Sequence, residues 1–156
     1  MAIADMFLNI QGVTGEASGD HAGEIEVVSW TWGMQASAPL YGGTPGGQAS
    51  MHSLDVVKRV DRSSPTLLQY LDTHKVVNTA TLTVRKAGGS PPLEYVRMDM
   101  KNVRIVTVDV GSQDAELTER VSLSFETITF TYKPQTSLGS AGSGDITFTA
   151  IHPAAQ

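Results

Sequence analysis

Thr79-Ala80-Thr81-Leu82-Thr83-Val84-Arg85-Lys86 alternates without a break. Ala80, Leu82 and Val84 fall on one face, and Thr79, Thr81, Thr83 and Arg85 on the other. That is the two-residue period of a strand buried on one side. The same period spreads outward. Residues 3–10 and 24–33 read as strands with less tidy faces, and 54–60 puts Leu54, Val56 and Val60 together. Residues 93–110 and 118–132 are long and change which parity is apolar. In the second, Val121, Leu123 and Phe125 share one parity while Ile128, Phe130 and Tyr132 take the other. Such a switch marks a bulge or a bend, and bends let a sheet curl. Ile146–Ile151 reads as a last strand.

One helix interrupts this pattern. Ser63 or Ser64 serves as N-cap, Pro65 suits the first helical position, and Leu67, Leu68 and Leu71 make a short apolar stripe. A helix over 65–73 is too short to persist alone, so it must dock. The expected fold is mainly β: a small β-barrel of two curled antiparallel sheets with one short flanking α-helix. Residues 1–156 form a single domain, since the length suits one core. Two segments are irregular. Residues 35–50, with Pro39, Gly42-Gly43, Pro45 and Gly46-Gly47, read as an extended loop, and compact domains rarely keep one without a use. Residues 137–144 are a Gly/Ser-rich flexible connector.

Composition removes several kinds of chemistry. There are no cysteines, so disulfides, thiolate metal sites and cysteine nucleophiles are excluded. The net charge of −5, with no Lys/Arg cluster, argues against binding nucleic acid. No apolar run approaches the roughly 18 residues of a membrane span, so membrane insertion is not expected. Met1-Ala2-Ile3-Ala4-Asp5-Met6 has no basic region and meets an acid early, unlike a secretory signal peptide. The expectation is synthesis and folding in the cytoplasm, with any export by a route that reads no such signal.

Catalytic patterns are equally thin. Gly42-Gly43-Thr44-Pro45-Gly46-Gly47 lacks the Lys-Ser/Thr ending of a phosphate loop and precedes a strand pattern. His21, His52, His74 and His152 are scattered, with no metal-ligating spacing. No serine sits in a Gly-x-Ser-x-Gly elbow. Asp109, Asp114, Glu116 and Glu119 cluster, but residues 111–116 read as a solvated turn rather than a glycosidase carboxylate pair. No enzyme activity, cofactor or metal is expected.

Ser29-Trp30-Thr31-Trp32-Gly33 carries more information. Two tryptophans spaced by two on a strand project to one face. Burying both contributes several kcal/mol. With Trp30 and Trp32 in the core, Ser29 and Thr31 point the opposite way, toward solvent or a partner.

These pieces occur in a familiar order. Asp5-Met6-Phe7-Leu8-Asn9-Ile10-Gln11-Gly12-Val13-Thr14-Gly15-Glu16 precedes His21 and Glu24-Ile25-Glu26-Val27-Val28-Ser29-Trp30-Thr31-Trp32-Gly33. Asp61-Arg62-Ser63-Ser64-Pro65-Thr66-Leu67, Leu82-Thr83-Val84-Arg85-Lys86-Ala87-Gly88-Gly89, Glu94-Tyr95 and Leu117-Thr118-Glu119-Arg120-Val121-Ser122-Leu123-Ser124-Phe125 follow. From about residue 3 to 139 the chain resembles the Hcp (haemolysin-coregulated protein) family of type VI secretion. It departs at Thr147-Phe148-Thr149-Ala150-Ile151, where the family often has Gly-Trp, and at Thr31, where serine is frequent.

The resemblance implies a structural subunit rather than an enzyme, with no cofactor. It implies a homohexameric ring that stacks into a hollow tube inside contractile sheath proteins, under a trimeric VgrG spike. The tube is expelled by sheath contraction, carrying effector proteins in its lumen, so the subunit is secreted without a signal peptide. A closed ring needs a head-to-tail interface. The loop residues Leu40, Tyr41, Gly42, Gly43, Thr44, Pro45, Gly46 and Gly47 are the candidates to reach a neighbouring subunit. Ser29 and Thr31 are the candidates to line the lumen and touch effectors. The alternatives are a phage-type tail-tube protein of the same architecture, or a carbohydrate-binding β-sandwich with exposed Trp30 and Trp32. A small hydrolase has the least support.

Overall fold

The computed structural model describes residues 4–36, 49–86, 93–134 and 144–151. Strands β1 (Ala4–Ile10), β2 (Ile25–Glu26), β3 (Ser29–Thr31), β4 (Met34–Ala36), β5 (Ala49–Met51) and β6 (Leu54–Arg59) precede helix α1 (Ser64–Asp72). Strands β7 (Val76–Lys86), β8 (Glu94–Gln113), β9 (Glu116–Ser124), β10 (Thr127–Tyr132) and β11 (Ile146–Ile151) follow it. All pairings are antiparallel. One nine-stranded sheet runs β2-β1-β7-β8-β9-β6-β3, with β10 and β11 branching from β8, and β4-β5 form a separate pair.

The mainly β architecture with one α-helix and two sheets is as the alternation demands. Among the described residues the sheet does not close through a continuous ladder, and the two sheets have nine and two strands. The physical reason lies at Val27-Val28. Val27 N–H donates to the Met6 carbonyl at 3.0 Å, and Val28 N–H to the Val57 carbonyl at 2.8 Å. One segment thus passes from β1 to β6 between consecutive residues. The ends of the sheet meet through chain continuity, without a ladder.

Alternation places the core. Ile10, Ala80, Met100, Ile128 and Ala150 form one cross-strand row over β1, β7, β8, β10 and β11, and every member is buried. Trp30, Val56, Val121 and Val108 form a row in the other half of the sheet. Both rows join a single apolar cluster. Strand β8 belongs to both halves, pairing with β10 through Lys101 and with β9 from Arg104. Its buried parity changes from Met98 and Met100 to Val103 and Ile105. Asn102, at φ 54°, sits in the left-handed region at that change and makes the corner. A register shift between Ile105 and Thr107 adds a bulge. The parity change in 118–132 has another origin: Phe125-Glu126 separates two strands, β9 and β10.

Helix α1 begins after Ser63, with Pro65 in its first turn and Leu67 wholly buried. His74, at φ 56°, follows the last turn. Gly12 is required where it stands. Its φ is +84°, and an added Cβ would lie 2.7 Å from the Tyr70 hydroxyl, which bonds the Gly12 carbonyl at 3.3 Å. On the far side of the sheet Phe7 is buried despite its outward parity. His21 stacks on its ring at 4.2 Å, and the Arg85 guanidinium lies 5.0 Å from the centroid.

Candidate lumen-facing sheet

Strand register assembles a polar face from four separate stretches of chain. Thr31 of β3 stands opposite Asp55 of β6, Asp55 opposite Ser122 of β9, and Ser122 opposite Thr107 of β8. The next row is Ser29, Val57, Arg120 and Asp109, and a third holds Arg59, Thr118 and Gly111. Residues directly opposed across strands share a face. The intervening row of Trp30, Val56, Val121 and Val108 faces the core, so these three rows face away from it.

Ser29, Thr31, Asp55, Arg59, Thr107, Asp109 and Arg120 are exposed. Ser122 is buried, and its hydroxyl donates to Asp55 Oδ1 at 2.6 Å. A shallow depression of about 310 Å³ lies against the rows, with Val57, Asp109, Thr118 and Arg120 in its lining. The face offers small hydroxyls and charges of both signs spread over a sheet. That chemistry suits dispersed contact with a protein surface rather than enclosure of a small molecule. Among the described residues no group of three or more His, Asp or Glu is placed to hold a metal. No helix among them is long and apolar enough to cross a membrane.

The indoles sit less deeply than the sequence reading places them. Trp30 and Trp32 are half-buried, packed against the core rather than enclosed by it. Strand β3 lies at the end of the sheet path, so Trp30 has a paired strand, β6, on one side only. Trp32 stacks on Phe130 at 6.4 Å. This packing removes the paired exposed indoles that a sugar platform requires. The loop residues Leu40, Tyr41, Gly42, Gly43, Thr44, Pro45, Gly46 and Gly47 lie outside the described residues, as do 137–143 of the connector. The loop's two ends are visible, where β4 and β5 pair Met34 with Met51, Gln35 with Ser50 and Ala36 with Ala49.

Sequence reasoning missed Asp55, Thr107, Arg120 and Ser122 on this face, because partners such as Asp55 and Ser122 stand 67 residues apart. It also clustered Glu119 with Asp109, Asp114 and Glu116. Glu119 is 1% exposed and ion-paired with Lys58, itself 1% exposed. Parity holds the missed signal: Lys58 shares that of Leu54 and Val56, and Glu119 that of Val121 and Leu123. The turn expected over 111–116 is shorter, with only Asp114-Ala115 between β8 and β9.

Comparison with known proteins shows the family of the chain. The family described as "Type VI secretion system effector, Hcp" matches residues 7–132. The chain belongs to the Hcp family. It is 36% identical over 149 residues to protein hcp1 of Pseudomonas aeruginosa, covering 92% of each. Among solved structures, Hcp1 from Salmonella typhimurium superposes with a TM-score of 0.79 at 31% identity, over 96% of this chain and 95% of that one. A type VI secretion system effector from Yersinia pestis gives 0.77 at 28% identity, over 94% and 99%. The matched residues take in the helix, all three polar rows and every strand except β11 and the start of β1.

Proposed function

We propose that this Hcp forms hexameric rings that stack into the inner tube of a type VI secretion system. The tube is expelled by contraction of the sheath beneath a VgrG spike and carries effectors in its lumen. The subunit is made in the cytoplasm, leaves by that apparatus, and performs no chemistry. The observation that carries this reading is the face built from Thr31, Asp55, Ser122 and Thr107 beside Ser29, Val57, Arg120 and Asp109. A tube needs a curved wall whose inner surface is polar, and family membership supplies the context. Residues 40–47 make contact with an adjacent subunit or the next ring.

Sedimentation and negative-stain microscopy of the purified protein test the assembly. The expected species has six copies and a central opening, and deleting 42–47 shortens or abolishes stacks. A monomer at all concentrations contradicts the proposal, and unaltered stacks after the deletion remove the loop from it.

A further inference from the structure

We infer that the buried Lys58–Glu119 pair sets the register between β6 and β9. It thereby decides which side chains share a row on the polar face. Lys58 and Glu119 are directly opposed on the core side of the two strands, and each is 1% exposed. Lys58 Nζ is ion-paired with Glu119 Oε1, lies 3.0 Å from Asp61 Oδ1 and donates to Ser64 Oγ at 3.3 Å. The Ser64 hydroxyl in turn donates to Glu119 Oε1 at 2.9 Å. The same pair therefore anchors the first turn of α1.

No turn fixes the alignment of β6 with β9, and the other side-chain link between them is the Ser122–Asp55 hydrogen bond at 2.6 Å. Between β8 and β9 the two-residue turn at Asp114-Ala115 fixes it. Lys58 and Glu119 are 61 residues apart, and no turn joins their strands. On the core side Leu54 and Val56 face Leu123 and Val121, aliphatic groups that exchange with little consequence. A slip of two residues keeps every side chain on its own face. The slip that sets Leu54 opposite Val121 also sets Asp55 opposite Arg120, an attractive pair on the exposed side. The exposed face loses the Ser122–Asp55 hydrogen bond and gains that ion pair, so it does not decide the register. The buried ion pair does, because Val56 would then oppose Glu119 and leave a buried carboxylate without its cation. One buried polar pair selecting a single alignment is a known use of such groups.

The lock stands by itself; its consequence for cargo rests on the lumen reading above. Because the chain has no cysteine, thiol pairs report register cleanly. Arg59→Cys with Thr118→Cys bridges in the observed register, and Val57→Cys with Thr118→Cys bridges only after the slip. Each reporter goes into the parent chain, into Lys58→Met/Glu119→Leu and into Lys58→Gln/Glu119→Gln. Each protein is unfolded, refolded and treated with dibromobimane. In the parent the first reporter bridges and the second stays open. In the two pair-less chains, slipped bridging rises by about tenfold or more while the protein remains folded. The observed register alone in both pair-less chains overturns the proposal. Failure of both to fold overturns it too, since the pair then serves stability only. Loss of rings with unchanged bridging counts against the lumen reading and leaves the register result intact.

Discussion

Thr31 is a residue whose role depends on what lies behind it. Its neighbours Trp30 and Trp32 pack against the core cluster, so its hydroxyl and methyl group point outward, beside the exposed Asp55 carboxylate. A longer polar side chain there crowds the surface without disturbing the interior. Thr31→Gln is expected to leave ring assembly intact and to change which effectors co-purify with the ring. Loss of the ring instead assigns Thr31 a structural role. The alternation in residues 24–33 made this orientation legible, since it needs only a local period of two. The companions Asp55, Ser122 and Arg120 were not legible, because they arrive through long-range pairing that no local pattern encodes.

At the scale of elements, local chemistry and tertiary geometry part company at the corners of the sheet. The one helix was readable from Pro65 and its leucines, and it lies within one residue of the expected bounds. The parity change in residues 93–110 was readable too, and it falls at Asn102 and the following bulge. A similar change in 118–132 reflects two strands that share β8 but pair β6 and β11 on their other sides, a distinction the alternation cannot make. The β8–β9 hairpin turns through Asp114 at φ 53° and Ala115 at φ 67°, a pair of left-handed residues without glycine. Tight hairpins of this kind favour Asp-Gly. Ala115→Gly is therefore expected to stabilise the protein by about 0.5–1 kcal/mol, relief of strain exceeding the added chain entropy. Urea denaturation measures it, and a loss of stability of similar size contradicts the strain argument.

The whole molecule carries a net charge of −5, so six copies together carry −30 with histidines neutral. Stacked rings of like charge repel at low ionic strength and less so as salt screens them. Tube length in solution is therefore expected to grow as ionic strength rises from about 10 to 150 mM, read by microscopy of the same preparation. Tubes indifferent to salt show that paired charges at the ring faces outweigh the net field. What binds these scales together is the direction of one sheet face. Electron cryomicroscopy of the purified ring measures that direction, and the account places Ser29, Thr31, Asp55 and Arg120 on the wall of the central opening. A reconstruction that puts those four side chains on the outer surface, with the opening lined by other strands, contradicts it.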